Sequence, residues 1–303
     1  MHCRGSRAPR ARRRDPVIAV TAASGHLGRR AVEALLKRVP AAGLVALVRH
    51  PGRAGDLAAL GLQVRKGDYD RPDTLAPALA GVEKLLFISG SEVGRRLPQH
   101  RAVVDAARRA GVRLVAYTSI LHADTSRVML AVEHRETEAM LRASGLPYVL
   151  LRNGWYLENY TEHLGPALAN GAIAGSAGNG RIAAAARADY AEAAAAVLTG
   201  TGHEHRVYEL AGAPFTMADL AAEVSRQAGK PVAYRDLPPA DYRAVLVGAG
   251  IPGPYADALV DADLGVARGE LDDASGDLER LIGRPSTPLA SAVAAALAAL
   301  PAA

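Results

Sequence analysis

From Val17 onward, short runs of β-branched and leucine-rich residues alternate with longer stretches whose apolar positions recur every three or four residues. The short runs are Val17–Thr21, Leu44–Val48, Leu62–Val64, Lys84–Ser89, Arg113–Thr118 and Pro147–Leu151, and they predict strands. The longer stretches predict helices over His26–Val39, Arg53–Leu60, Pro72–Leu79, Gly94–Ala110 and Val132–Ser144. Glycine marks many of the junctions, at Gly43, Gly61, Gly81, Gly111 and Gly145. Strands that are apolar along their whole length are covered on both faces, and strand–helix–strand repetition makes them parallel. The pattern predicts an α/β fold with a doubly wound parallel sheet.

Beyond Leu151 the alternation loosens. Helices are predicted over Tyr156–Ala169, Ala188–Leu198, Met217–Ala228, Ala240–Gly248 and Tyr255–Val266, a strand over Arg206–Leu210, and a hairpin or loop over Gly171–Arg181. The alanine-rich run from Pro288 to Ala303 reads as a packed helix. The expected organisation is a basic leader over 1–16, a first domain over 17–152 and a smaller C-terminal α/β lobe over 153–303. Segments near 187–211 are expected to return to the first domain's sheet.

Composition changes this picture in three places. Half of the 303 residues are hydrophobic, enough for a sizeable core. No apolar run reaches the roughly 18–20 residues of a membrane span, so no membrane partner is expected. The single cysteine, Cys3, can form neither an internal disulfide nor a cysteine cage for a metal, which points to a reducing cytoplasm. The net charge of +5 has one source: six arginines and Asp15 within the first 16 residues. The remaining 30 basic and 30 acidic residues cancel. The tail therefore reads either as a disordered leader or sequence ahead of a start at Val17, or as a basic arm for phosphates or anionic lipid; a nucleic-acid-binding module rests on this tail alone and is not expected.

The first strand runs directly into Thr21-Ala22-Ala23-Ser24-Gly25-His26-Leu27-Gly28. A glycine turn opening a βα unit sets backbone N–H groups and a helix N-terminus against a pyrophosphate, as in a Rossmann fold. In the spacing G-x-x-G-x-x-G, Gly25 and Gly28 fill the last two positions and Ala22 the first. If the turn needs a positive φ at Ala22, its methyl costs affinity. The second strand ends at Arg49, with no acid before Asp56, where a carboxylate would select NAD. A basic residue there suits a 2′-phosphate, so NADPH is the expected cofactor. Asp68, after the third strand, either accepts from the adenine amino group or is a helix N-cap with Asp70 beside it. No tyrosine is followed by a lysine four residues later, so the acid pair of ordinary short-chain dehydrogenases is missing. His134 and Glu138 share a helix face, as a proton relay or as an ordinary i,i+4 pair. His100 and His122 have no partner at ligand spacing, and no metal site is expected.

The chain resembles the NmrA-like branch of the atypical short-chain dehydrogenases, and within it the bacterial type 2 NAD(P)H:quinone oxidoreductases. The resemblance rests on Val82-Glu83-Lys84-Leu85-Leu86-Phe87-Ile88-Ser89, Ser91-Glu92-Val93-Gly94 and Pro98-Gln99-His100-Arg101. It continues in Ala116-Tyr117-Thr118-Ser119, Leu121-His122-Ala123-Asp124-Thr125-Ser126, Leu150 to Tyr160 and Arg187-Ala188-Asp189-Tyr190. It runs from Val17 almost to the C-terminus; Ala22 and His26 depart from the family's usual glycine and glutamine.

The resemblance implies that Ala22, Ala23, Ser24, Gly25, His26 and Leu27 hold the pyrophosphate and Arg49 the 2′-phosphate. It implies that Ser89, Gly90 and Ser91 line the ribose and nicotinamide side, and that Asn153, Gly154, Trp155 and Tyr156 cover the nicotinamide. Ligands of open α/β sheets bind beyond the carboxyl ends of strands, where Asn153 falls. Asn153 can pair with a carboxamide or a quinone oxygen. Trp155 or Tyr156 either stacks on a flat ring or packs between the lobes. Asn153 and Tyr156 are the candidate catalytic pair. The implied activity is NADPH-dependent reduction of a small quinone in the C-terminal substrate lobe, by a cytoplasmic enzyme whose assembly as a homodimer stays open. The alternative is a non-catalytic NADP(H)-binding redox sensor of the NmrA type.

Overall fold

The computed structural model describes residues 16–300. The expected leader, with Cys3, lies outside the described residues except for Pro16. The first half runs β1 (Ile18–Val20), α1 (His26–Leu36), β2 (Leu44–Val48), α2 (Gly55–Ala59), β3 (Gln63–Lys66), α3 (Leu75–Ala78), β4 (Lys84–Phe87), α4 (Arg96–Arg109), β5 (Leu114–Ile120), α5 (Met129–Ala143) and β6 (Tyr148–Asn153). The second half runs α6 (Leu157–Thr161), α7 (Leu164–Asn170), β7 (Ala172–Gly175), α8 (Arg187–Thr199), β8 (Val207–Leu210), α9 (Met217–Ala228), β9 (Ala233–Asp236), α10 (Pro239–Gly248), α11 (Gly253–Ala267), α12 (Asp277–Ile282) and α13 (Leu289–Ala298).

Seven strands form one sheet in the order β3-β2-β1-β4-β5-β6-β8, and every neighbouring pair is parallel. The order reverses between β1 and β4, which opens a crevice at the carboxyl ends of the strands. This is the doubly wound Rossmann sheet expected from the pattern. Successive strand residues point to opposite faces. Ile18, Val20, Leu44, Ala46 and Val48 enter a core with α1, α8 and α12, while Ala19, Val45 and Leu47 enter another with α3, α4 and α5. The alanines of α8, among them Ala191, Ala193, Ala194 and Ala195, are buried and bring it against α1. The alanine cluster is thus a close-packing surface.

The smaller lobe holds a two-stranded parallel sheet, β7 with β9, among α7, α9, α10, α11 and α13. Here the structure departs from the expected elements. Tyr156–Ala169 is two helices, because Pro166 has no N–H to bond back to Glu162; it is tolerated only in the first turn of a new helix. Gly171–Arg181, expected as a hairpin or loop, begins with β7, whose partner is 61 residues on in register at Ala172 and Ala233. Among the described residues, no helix is long and apolar enough to cross a membrane.

Candidate active site

The expected cofactor residues line up along the carboxyl edge of the sheet. Thr21 closes β1: its N–H donates to Leu86 O at 3.0 Å, and its hydroxyl accepts from Ile88 N–H at 2.9 Å and from Tyr69 Oη at 2.6 Å. The chain then turns through Ala22, whose φ is +48°. The left-handed conformation suspected from the spacing is therefore real, and an alanine occupies it at a cost. Ala23 N–H donates to Leu47 O at 3.1 Å, and Gly25 N–H returns to Ala22 O at 2.9 Å. A Cβ on Gly28 would lie 2.2 Å from Ala22 O, so the third glycine is what lets α1 touch the turn. No side chain caps α1, and its first turn carries no acid. Its leading N–H groups are free for an anion.

Arg49 follows β2 with its side chain 65% exposed, and its nearest carboxylate, Glu92, is 3.7 Å away. Its guanidinium is available to a phosphate. Asp68 is not a helix N-cap: it accepts from Asp70 N–H at 3.1 Å and closes a turn ahead of the helical segment that begins at Pro72. At the end of β4, Ser89 N–H donates to Thr118 Oγ1 at 2.9 Å and Gly90 N–H to His100 Nε2 at 2.9 Å. Asn153 ends β6 opposite Ile120 of β5 and Leu210 of β8, and is 5% exposed.

Three buried side-chain atoms among the described residues have no hydrogen-bond partner: Asn153 Oδ1, Arg96 Nη1 and Glu133 Oε2. All three belong to residues that follow β4, β5 or to the last position of β6, at the edge where the crevice lies. Unpaired buried polar groups cost about 1–3 kcal/mol each, so their concentration beside the crevice is a mark of function. The open helix terminus, the tight turn and the unpaired Asn153 amide together fit a dinucleotide lying across the strand ends.

The aromatic residues divide. Trp155 packs between Ile120, Ala123 and Ala131 on one side and the apolar core of the smaller lobe on the other. Tyr156 meets Tyr190 edge-on at 5.5 Å, and the Arg187 guanidinium covers its ring at 5.2 Å. Burial pushes the Tyr156 hydroxyl up from the usual phenol range, while the neighbouring Asn153 amide and the charge of Arg187 pull the other way. It is therefore a neutral O–H donor at any working pH.

The relay suggested by the spacing of His134 and Glu138 does not form, and neither does a surface pair. Both are buried on α5, but each takes a partner from the sheet. His134 Nδ1 pairs with Tyr117 Oη at 2.8 Å. Burial, with Arg96 and His100 nearby, holds its imidazole well below the ordinary histidine range, hence neutral. Glu138 accepts from Arg152 Nε at 2.9 Å, Arg152 Nη2 at 2.8 Å, Ser119 Oγ at 2.7 Å and Arg142 Nη2 at 3.1 Å. Arg152 also reaches Glu209 at 2.7 Å and Asp124 at 3.0 Å. Burial opposes its charge, but these carboxylates outweigh it and hold the guanidinium protonated. This buried network braces β5, β6 and β8 beneath the crevice. Among the described residues, no cluster of three metal-ligating side chains occurs.

The chain matches the family model described as NAD(P)H-binding over residues 22–201. It is 54% identical to quinone oxidoreductase 2 of Escherichia coli (strain K12), covering 91% of this chain and 97% of that one. It is 31% identical to an NmrA-like family domain-containing oxidoreductase of Aspergillus flavus, over 90% and 92% of the two chains. Among solved structures, the NADPH complex of the Escherichia coli NADPH-dependent quinone oxidoreductase superposes with a TM-score of 0.90 at 53% identity, covering 92% of this chain and 99% of that one. The NADP(H) complex of Citrobacter sp. triphenylmethane reductase follows with a TM-score of 0.89 at 41% identity, over 92% and 99%.

Proposed function

The chain belongs to the NmrA-like NAD(P)H-binding family, and from that premise we propose that it is an NADPH-dependent oxidoreductase that reduces small quinones. The observation that carries the reading is the identity to a quinone reductase over nine-tenths of both chains. The site supports it independently, with a dinucleotide cradle at one end and an unpaired buried amide at the other.

In this reading Ala22 to Leu27 hold the pyrophosphate, Arg49 the 2′-phosphate and Asp68 the adenine edge. Ser89, Gly90 and Ser91 line the ribose, and Asn153, Gly154, Trp155 and Tyr156 close the nicotinamide side. Bound NADPH supplies the hydride. A quinone needs proximity and a polarising donor more than a strong acid, because its reduced form is aromatic and its oxyanion weakly basic. Asn153 and Tyr156 supply that polar wall: the amide orients, the neutral phenol donates, and the proton comes from water. His134, already engaged with Tyr117, is left out of the chemistry. We propose a small molecule as the partner, with neither nucleic acid nor membrane. Cytoplasmic residence and a homodimer are the setting to test, by fractionation and light scattering.

The test is NADPH oxidation with a panel of simple quinones, beside dinucleotide binding by calorimetry. Turnover is expected; binding without turnover would favour a redox sensor. NADPH should bind more tightly than NADH, and Arg49→Ala should remove about tenfold of that preference. The lower end of the 1.5–3 kcal/mol range for a charged contact applies because Arg49 is exposed. Equal affinities in the parent protein would refute the assignment. Asn153→Ala should lower kcat/KM by roughly 10–100-fold, the scale of one lost positioning hydrogen bond. NADPH affinity should change far less, since the adenosine and phosphate contacts remain. Unaltered kcat/KM would remove Asn153 from the site.

A further inference from the structure

The peptide at Gly90 is held by two side chains from the start of α4, with a third lying beside it. Arg96 Nε donates to Gly90 O at 2.6 Å, and Gly90 N–H donates to His100 Nε2 at 2.9 Å. Gln99 Oε1 stands 3.0 Å from where a Cβ on Gly90 would be. A backbone N–H can only donate, so Nε2 is the accepting nitrogen and the ring proton sits on Nδ1. Nδ1 then donates to Thr137 Oγ1 at 2.8 Å, and Thr137 passes its own hydrogen to Glu133 O at 2.8 Å. Burial, and secondarily Arg96, push the His100 imidazole down to about 3, so this tautomer persists at any working pH.

The grip has a second layer. Glu133 Oε1 accepts from Gly94 N–H at 3.1 Å and Arg96 N–H at 3.2 Å, tying the segment after β4 to α5. Its other oxygen faces Arg96 Nη1 at 3.8 Å, a charge pair that stops short of a hydrogen bond and leaves both atoms buried and unpaired. Two costly groups are thus kept beside a single peptide, and that peptide carries no side chain of its own. What it does carry is Ser89 and Ser91 on either side.

Resting on the quinone-reductase reading, we propose that Arg96 and His100 are positioning residues of the reaction: they fix the Gly90 peptide and so hold Ser89 and Ser91 against the nicotinamide end of the cofactor. Neither touches the reacting atoms. Their effect passes through the backbone, where a displacement of about 1 Å can cost on the order of 100-fold in rate.

The test uses the full chain with His100→Leu, His100→Gln and Arg96→Met. Glutamine can place Oε1 near the position of Nε2 and accept from Gly90 N–H; leucine fills the space without accepting. The readouts are NADPH affinity by calorimetry, amide exchange of the segment 88–97 with and without NADPH, and kcat and KM with a simple quinone. Expected for His100→Leu and Arg96→Met are a roughly tenfold weaker NADPH affinity, loss of NADPH-induced protection in 88–97, and kcat down about 10–100-fold at little-changed quinone KM. His100→Gln should recover most of each. Equal impairment by leucine and glutamine would overturn the proposal, since it would show that ring packing against Phe87 and Tyr117 is what counts. Parent-like NADPH affinity and protection in Arg96→Met would overturn it too. If His100→Leu does not fold, Arg96→Met reads the same peptide from its carbonyl side. A parent protein that binds NADPH but reduces no quinone would sink the functional reading, while affinity and exchange would still decide this one.

Discussion

Gly28→Ala should weaken NADPH binding by at least about 100-fold, or roughly 2.7 kcal/mol. The added Cβ would meet Ala22 O at 2.2 Å, Ala23 Cα at 2.8 Å and Ala22 C at 2.9 Å. All three are backbone, so no side chain can swing aside and the helix must back away from the turn. That separation takes the N–H groups of α1 off the pyrophosphate. Calorimetry with NADPH reads the loss, and near-parent affinity would mean that the turn does not hold the cofactor. Ala22→Gly should act in the opposite direction. A left-handed alanine costs about 1–2 kcal/mol, of which glycine's greater unfolded-state freedom takes back roughly half. A gain of about 0.5–1 kcal/mol, or roughly 1–4 °C in Tm, is expected in a thermal melt. A drop in Tm would show that the positive φ at this position is unstrained.

Arg152→Met should destabilise the fold by about 3–5 kcal/mol, lowering Tm by on the order of 10 °C. The substitution keeps much of the volume but strips Glu138, with a side chain 1% exposed, of its bidentate partner and deprives Glu209 as well. The sign of its pH dependence follows from the group left behind. A neutral carboxyl is cheaper to bury than a carboxylate, so the deficit should be smaller near about pH 5 than near about pH 8. Denaturant melts at the two values measure it. A deficit that grows on acidification would contradict the buried-carboxylate account.

The sheet was legible because its inner strands β1, β2, β4 and β5 are largely apolar and β1, β4 and β5 are each followed by a helix of clear period; the edge strands β3 and β8 are mixed and carry a weaker signal. The strand pair β7 and β9 was not. Ala172-Ile173-Ala174-Gly175 has little strand preference, and its partner Ala233-Tyr234-Arg235-Asp236 is mostly exposed, so neither carries a local signal. Residues that follow a strand directly, such as Arg49, Ser89 and Asn153, could be placed at the crevice because strand ends fix them. Side chains that reach the site from helices could not. Spacing put His134 and Glu138 on one face correctly, but the nearer claims of Tyr117, Ser119 and Arg152 decided their bonds.

A signal for the missed residues does exist. The buried stripe of α4 is Arg96, Gln99, His100 and Val103, and that of α5 is His134, Thr137, Glu138 and Leu141. Polar residues at i, i+3 and i+4 of an otherwise core-facing stripe must find partners: Arg96 and His100 take the Gly90 peptide, His100 also takes Thr137, and His134 and Glu138 take Tyr117, Ser119 and Arg152 of the sheet.

The return of the chain to its first sheet has a consequence for biosynthesis. The apolar face of α1, with Leu27, Ala31, Val32 and Leu35, is covered by α8, and the free edge of β6 by β8. At about 5–20 residues per second, the ribosome reaches Leu210 some 3–11 s after Asn153. During that interval the nascent cofactor half has its glycine turn but lacks the helix that covers it and the last strand of its sheet. The apolar face of α1 and the outer edge of β6 are then without their native cover, so their burial has to wait for the second half of the chain.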